Sequence, residues 1–105
     1  MFTMLPKGRG VVSAEGFCVQ RFGSPMTQFV VHYSEGDHIL EYPLENLVPG
    51  VIDMVFVDRI GPWCSPYQTE TIDDERKLLI AVRIRDAMGF LGDVIEVIEE
   101  KGLKN

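Results

Sequence analysis

Apolar and polar residues alternate over the first half of the chain in two blocks, and each block is interrupted by a turn sequence. In "GRGVVSAEGFCVQRFG", residues 8–23, apolar residues lie on both sides of Ala14-Glu15-Gly16. In "TQFVVHYSEGDHILEYPLENL", residues 27–47, two β-rich runs flank Ser34-Glu35-Gly36-Asp37. Alternation on both sides of a short polar turn predicts two β-hairpins.

The second hairpin also predicts which side chains face the core. If Glu35 and Gly36 are the central turn residues, the facing pairs are Tyr33 with His38, Val31 with Leu40, and Phe29 with Tyr42. Side chains of a strand alternate between faces, so these six share one face. That face is mostly apolar and is expected to be the core face. The opposite face carries His32, Ile39 and Glu41.

Two further apolar runs are expected to complete the sheet. "VIDMVFVDRI", residues 51–60, is apolar at most positions, which predicts a central strand over Val51–Val57 that is covered on both sides. Such a covered strand would leave no chamber for reactants beside it. Residues 94–98 alternate briefly and predict a last strand added to the same sheet. Pro43 cannot donate to a ladder and is expected to end the strand before it.

One amphipathic helix is predicted over "TIDDERKLLIAVRIRDAMGFLG", residues 71–92. Thr71 or Asp73 can cap its start, and Gly92 can cap its end. The apolar stripe that repeats at helical spacing comprises Ile80, Ile84, Ala87, Met88 and Leu91. Leu78 and Val82 point away from this stripe, which indicates either partial burial under a loop or a subunit interface.

These elements predict a single α+β domain over residues 1–105. The expected order is β-β-β-β-β-α-β, an antiparallel sheet of five to six strands with one long helix packed on one face. The length of 105 residues and the hydrophobic content of 46% fit one globular core. The chain start lacks the features of a secretory signal, so we expect a cytoplasmic protein.

The charge distribution narrows the class of partner. A formal net charge of −6 disfavours nucleic acid and anionic membranes as partners. Between Phe22 and Asp58 the chain has no Lys or Arg, and its acidic residues there are Glu35, Asp37, Glu41, Glu45 and Asp53. This acidic span is either a solvated surface or a face that meets a basic partner.

Residues capable of catalysis or metal binding are few. His32 and His38 are predicted on opposite faces and cannot converge on one metal ion. Cys64 lies shortly before the predicted helix and could be a nucleophile only if a base or the helix N-terminus lowered the pKa of its thiol. Cys18 and Cys64 show no CxxC spacing and are expected to be free thiols. No phosphate-binding or hydrolase motif occurs, so we predict no catalytic residue, cofactor or metal.

A compact aromatic segment precedes the helix. "DRIGPWCSPYQTE", residues 58–70, contains the only tryptophan, Trp63, with Pro66 and Tyr67 close behind. Trp63 could seal one end of the core, because tryptophan is on average highly buried. Aromatic residues on a rigid loop are also typical of binding hot spots. The predicted partner-binding residues are Trp63, Pro66, Tyr67, Glu35, Asp37 and Glu41.

The second half resembles the immunity protein 74 family of bacterial polymorphic-toxin systems. The residues that carry the resemblance are Trp63, Pro66, Ile72, Glu75, Arg76, Ile80, Ile84, Gly89, Phe90, Gly92, Ile95, Glu96 and Val97. The resemblance implies a bacterial protein that binds and neutralises a cognate toxin without catalysis. The chain also resembles small orphan proteins encoded by mobile integron gene cassettes, whose functions are mostly unknown.

Three hypotheses follow from the sequence. The first is a non-catalytic module that binds a protein partner, such as a basic toxin, through acidic and aromatic surface. The alternative is a small-molecule-binding module or small enzyme with a pocket between helix and sheet near Cys64 and His32. The third is a homodimer that associates through Leu78 and Val82.

Overall fold

The computed structural model describes residues 1–6, 9–23, 29–44 and 52–99. Within these ranges the chain forms seven strands, one α-helix and a 3₁₀ turn. The strands are β1 Phe2–Met4, β2 Gly10–Ser13, β3 Phe17–Phe22, β4 Phe29–Glu35, β5 His38–Leu44, β6 Asp53–Phe56 and β7 Ile95–Ile98. The helix α1 is Asp74–Phe90, and the 3₁₀ turn is Val57–Arg59. This is the predicted α+β class.

Five of the strands form an antiparallel sheet in the order β1-β2-β3-β4-β5. The two predicted hairpins supply four of its five strands: β2 pairs with β3, and β4 pairs with β5. Strand β1 was not predicted, because three residues are too few to show alternation. It pairs with β2 and places Phe2 opposite Ser13.

The second hairpin differs from the prediction by a shift of two residues. Glu35 lies opposite His38, so Gly36 and Asp37 are the central turn residues. Gly36 adopts a positive φ of 59°, which glycine tolerates best. The shift pairs Tyr33 with Leu40, Val31 with Tyr42 and Phe29 with Leu44. Because side chains alternate with a period of two, a shift of two leaves every residue on its predicted face.

Strand β5 continues through Pro43 to Leu44, so the expectation that Pro43 ends it is wrong. Pro43 lies opposite Val30, and β5 is the last strand of the five-stranded sheet. An edge strand has one side without ladder partners, and proline is tolerated there because no neighbour needs its missing N–H.

Helix α1 begins and ends as its sequence predicts. The side chain of Asp73 accepts a hydrogen bond of 2.8 Å from the Arg76 N–H and caps the first turn. At the other end Gly92 has a φ of 99°. The Gly92 N–H donates to the Gly89 carbonyl and the Asp93 N–H to the Met88 carbonyl, each at 3.0 Å, which is a Schellman motif.

The central strand predicted over Val51–Val57 is wrong, as is the expectation that the last strand joins the same sheet. Strands β6 and β7 instead form a separate two-stranded parallel sheet, joined by the crossover through α1. Only one face of β6 is covered: Val55 is buried, whereas the side chain of Met54 is 46% exposed. Val51 and Glu45 lie outside the described residues.

The core lies between the five-stranded sheet and the inner face of α1. The sheet contributes Val11, Phe17, Val19, Val31, Tyr33, Leu40, Tyr42 and Leu44, and the helix contributes Ile80, Ala81, Ile84, Ala87 and Met88. Val55 and Ile95 extend this cluster into the small sheet. In the described part of the chain, no helix is both long and apolar enough to cross a bilayer.

Candidate functional site: an acidic cleft beside the aromatic loop

A cleft of about 500 Å³ opens where three parts of the chain meet. These are the tip of the β4–β5 hairpin, the loop of residues 60–73, and the first turns of α1. The lining residues are Glu35, His38, Trp63, Glu70, Thr71, Ile72, Asp73, Glu75, Arg76 and Leu79. The lining therefore contains four carboxylates, one arginine and one histidine, and we refer to it as the acidic cleft.

The loop of residues 60–73 is anchored at several points. Gly61 has a φ of 93°, and a Cβ at this position would lie 3.0 Å from Cδ1 of Ile72. The positive φ therefore favours glycine here, and a larger residue would also displace the end of the Ile72 side chain. The Cys64 N–H donates to the Ile39 carbonyl at 2.7 Å, which ties the loop to the edge strand β5. The Gly61–Pro62 and Ser65–Pro66 peptide bonds are both cis.

A continuous series of aromatic contacts runs from the core to this loop. Phe17 stacks on Tyr33 with ring centroids 5.8 Å apart, and Tyr33 stacks on Trp63 at 6.3 Å. The edge of Trp63 meets the His38 ring at 5.1 Å, and His38 stacks on Tyr67 at 3.8 Å. The aromatic residues of the loop are thus the outer end of the core packing.

His38 lies between two carboxylates from different parts of the chain. Its Nδ1 is 3.1 Å from Oδ1 of Asp37, and its Nε2 is 2.9 Å from Oε1 of Glu70. The hydroxyl of Tyr67, whose ring stacks on His38, donates to Oδ2 of Asp37 at 2.6 Å. The hairpin tip and the loop are joined through this one imidazole and its neighbours.

These contacts change the pKa values of His38, Asp37 and Tyr67. The hydrogen bond to Glu70 is the main cause of the raised pKa of His38, with Asp37 adding to it. The hydrogen bond from Tyr67 lowers the pKa of Asp37 and, in turn, raises the pKa of the Tyr67 hydroxyl. The arrangement therefore favours an imidazolium beside two carboxylates.

A second charged network at the cleft is centred on Glu35. Glu35 is paired with Arg76 of α1, and Nη1 of Arg83 lies 3.8 Å from Oε1 of Glu35. The Tyr33 hydroxyl donates to Oε1 of Glu35 at 2.7 Å and accepts from Arg83 at 2.8 Å. Burial is the main cause of the rise in the pKa of Tyr33 to about 12. This network attaches the helix to the hairpin.

The structure brings four of the six predicted partner-binding residues to this region. Glu35 and Trp63 line the cleft, and Asp37 and Tyr67 contact its His38. Trp63 is only 6% exposed, so the prediction that it seals one end of the core is confirmed. Its contribution to any binding surface is the edge that reaches the cleft.

The other two predicted residues lie elsewhere. Pro66 is exposed on the loop but does not line the cleft. Glu41 is on the outer face of β5, where its Oε2 is 3.5 Å from Nε2 of His32. Neither His32 nor Cys64, the residues of the alternative pocket, lines the acidic cleft.

Leu78 and Val82, the predicted oligomer interface, are both half-buried. Leu78 packs against the core cluster, and α1 contacts the small sheet as well as the large one. The partial burial of Leu78 agrees with the first of the two alternatives for this side of the helix. Whether the remaining surface of Val82 meets a second copy stays a prediction.

Several residues of the cleft were missed by sequence reasoning, above all His38, Glu70 and Arg76. Glu70 lies 32 residues from His38 along the chain, and Arg76 lies 41 residues from Glu35. The sequence does contain a signal for these residues, because charged side chains are concentrated in the acidic turn and in the first turn of the helix. The pattern gives no indication that these two segments lie next to each other.

The predicted separation of the histidines is confirmed, since His32 pairs with Glu41 and His38 with Glu35. Within residues 1–6, 9–23, 29–44 and 52–99, no group of three or more His, Cys, Asp or Glu side chains could hold a metal ion. Cys18 and Cys64 are free thiols, and burial raises the pKa of Cys18.

The acidic cleft is best suited to holding positive charge. Its carboxylates outnumber its cationic groups, and its mouth is open to solvent at Glu70, Asp73 and Glu75. Both ring nitrogens of His38 already contact carboxylates, so this residue acts as a connection between segments. No family model, curated protein or solved structure matches the chain.

Proposed function

We propose that this chain is a non-catalytic protein-binding module that presents the acidic cleft to a basic protein partner. An immunity-type protein that neutralises a cognate toxin would act in this way. The observation that carries the proposal is the convergence of four carboxylates, from the hairpin, the loop and the helix, around one open cleft.

The charge of the whole chain supports the same partner class. The net charge of −6 attracts basic proteins over a distance of about one Debye length, roughly 10 Å at 0.1 M salt. At the cleft, Glu75 is exposed, so a cationic side chain of the partner can reach it from solvent. Complementary charge of this kind raises the association rate and selects partners more than it raises affinity.

The experiment is a quantitative pull-down with wild type and charge-reversed variants. Glu75→Lys changes the cleft, and Glu41→Lys makes the same change on the outer face of β5. Glu96→Lys is the matched control, because Glu96 is an exposed residue of β7 in the small sheet. The host lysate is passed over each immobilised protein, and the retained proteins are quantified.

The proposal predicts a basic protein that is retained by wild type and by Glu96→Lys and is at least about tenfold depleted on Glu75→Lys, a change of about 1.4 kcal/mol. Retention should also fall as salt is raised. Equal retention by all four proteins would overturn the proposed surface. If retention were lost only on Glu41→Lys, the partner would bind the outer face of the sheet instead of the cleft.

A second candidate is a small-molecule-binding module. It is favoured by the cleft volume of about 500 Å³, which is within the roughly 300–1,000 Å³ of known ligand pockets. Such pockets are mostly apolar, however, whereas charged residues dominate this lining. Chemical-shift changes at the Trp63 indole N–H on titration with a set of small cationic compounds would support this candidate.

A further inference from the structure

His38 is the clearest feature of the cleft that the acidic lining does not explain. A neutral imidazole has one N–H donor, and the other ring nitrogen carries a lone pair. At His38 each ring nitrogen is within 3.1 Å of a carboxylate oxygen, on Asp37 and on Glu70. Both contacts can be hydrogen bonds only when the ring is doubly protonated. When it is neutral, a lone pair must face one of the carboxylates.

We propose that His38 is a pH-sensitive clasp that holds the loop of residues 64–70 against the tip of the β4–β5 hairpin. In the imidazolium form the clasp is closed and the wall of the acidic cleft is fixed. In the neutral form only one ring nitrogen can donate, so the attachment of the loop to the hairpin is weakened and the loop opens more often, although Tyr67 still donates to Asp37.

The groups around His38 favour the closed form. From its own hairpin it faces Asp37 and, across the strand pair, Glu35. From the loop it meets Glu70 together with the rings of Trp63 and Tyr67. From the start of the helix, the charged residues that line the same cleft are Asp73, Glu75 and Arg76. Carboxylates outnumber the single arginine, so the surroundings stabilise the charged ring.

The direction of the pH dependence follows from linkage. The pKa of His38 is raised above its ordinary value of 6.5, mainly by Glu70. The contribution of the clasp to stability is therefore fully present below pH 6.5 and is lost as the pH rises through the higher pKa of the folded protein. The cleft is more rigid in mildly acidic than in mildly alkaline solution.

The clasp belongs to the cleft of the proposed function, so its effect on partner binding rests on that proposal. The existence of the clasp does not depend on the proposed function. The clasp can be tested on the free protein, and its failure would leave the binding proposal intact.

The test is an NMR titration of the imidazole C–H resonances, with the protection factor of the Cys64 amide measured at pH 5.5 and 8.5. This loop N–H donates to the Ile39 carbonyl of the hairpin at 2.7 Å, so its protection reports the attachment of the loop. His32→Gln assigns the signals, since the chain has two histidines. Glu70→Gln removes one carboxylate at little change in size.

We expect His38 to titrate above 6.5 in wild type and at a lower pH in Glu70→Gln, because Glu70 is the main cause of the raised pKa. Loop protection should fall several-fold between the two pH values in wild type and change little in His38→Gln. A His38 titration unaffected by Glu70→Gln, or loop protection equal at both pH values in the wild type, would overturn the clasp.

Discussion

Trp63 shows how a single residue can be conspicuous in a sequence and yet belong to the core. It occurs in a loop rich in proline, where aromatic residues are typical of binding surfaces. In the fold it is 6% exposed and stacks on Tyr33, which is itself fully buried. The main role of Trp63 is therefore packing in the core, and its buried ring determines where the loop lies.

Replacing Trp63 should cost far more stability than replacing a surface residue. We predict that Trp63→Ala lowers the free energy of unfolding by about 3–5 kcal/mol, because it removes a large buried ring and leaves a cavity. Trp63→Phe should cost clearly less, since it keeps the stacking on Tyr33. Urea denaturation followed by circular dichroism measures both; a loss below about 1 kcal/mol in Trp63→Ala would contradict burial of this ring.

Tyr33 makes the protein sensitive to alkali. Burial raises the pKa of its hydroxyl from 10.0 to about 12, so the neutral form is favoured in the folded state. The corresponding stability is fully present below pH 10.0 and is lost as the pH rises toward 12. We predict that wild type loses stability over this window more steeply than Tyr33→Phe, as followed by denaturation midpoints. Parallel curves for the two proteins would show that Tyr33 is accessible.

At the scale of elements, the start of α1 depends on one capping side chain. Asp73 accepts a hydrogen bond from the Arg76 N–H, so Asp73→Ala should cost about 1 kcal/mol. The matched control is Glu75→Ala, which removes an acid from the same turn but leaves the cap in place. Thermal unfolding of both variants checks this. An equal effect in both would mean that the charge matters and the cap does not.

Elements with strong local signals were predictable. The helix was found because its apolar stripe, cap and terminal glycine all agree, and the hairpins because alternation surrounds a turn. The turn centre lies one residue later than predicted, at Gly36-Asp37, which shifts the partner of each residue by two, and period-two patterns are identical after such a shift. Strand faces could be predicted, but the register could not.

The pairing of β6 with β7 could not be predicted from their apolar runs. Residues 53–56 and 95–98 are separated by the whole of α1, and neither run indicates its partner or its direction. A short apolar run fits a covered central strand and a strand of a small second sheet equally well. The two structures differ in the exposure of Met54, and this exposure depends on which chain segments pack against that face of the strand.

The acidic cleft exists only at the scale of the whole molecule. Its carboxylates come from the hairpin, the loop and the helix, and its ion pairs join residues 32 and 41 positions apart. Composition indicated an acidic face, but long-range packing decides which acids converge. The predicted set therefore includes Glu35, which lines the cleft, and omits Glu70 and Glu75, which line it too.

Self-association is a separate prediction at this scale. A homodimer through Leu78 and Val82 should give twice the chain mass of 11.9 kDa in light scattering. Val82→Glu should then reduce the mass to that of one chain, because a charge in an apolar interface is costly. Val12→Glu is a control on the outer face of the sheet. A monomeric wild type would end this hypothesis.

The most direct test of the central claim is NMR mapping of the complex formed with the basic partner recovered by wild type. If the acidic cleft is the binding surface, the largest shift changes will cluster at the Trp63 indole N–H, Glu70 and Glu75. Residues of the outer sheet face, His32 and Glu41, will change little. Changes centred on His32 and Glu41, with Glu70 and Glu75 unaffected, would contradict the account.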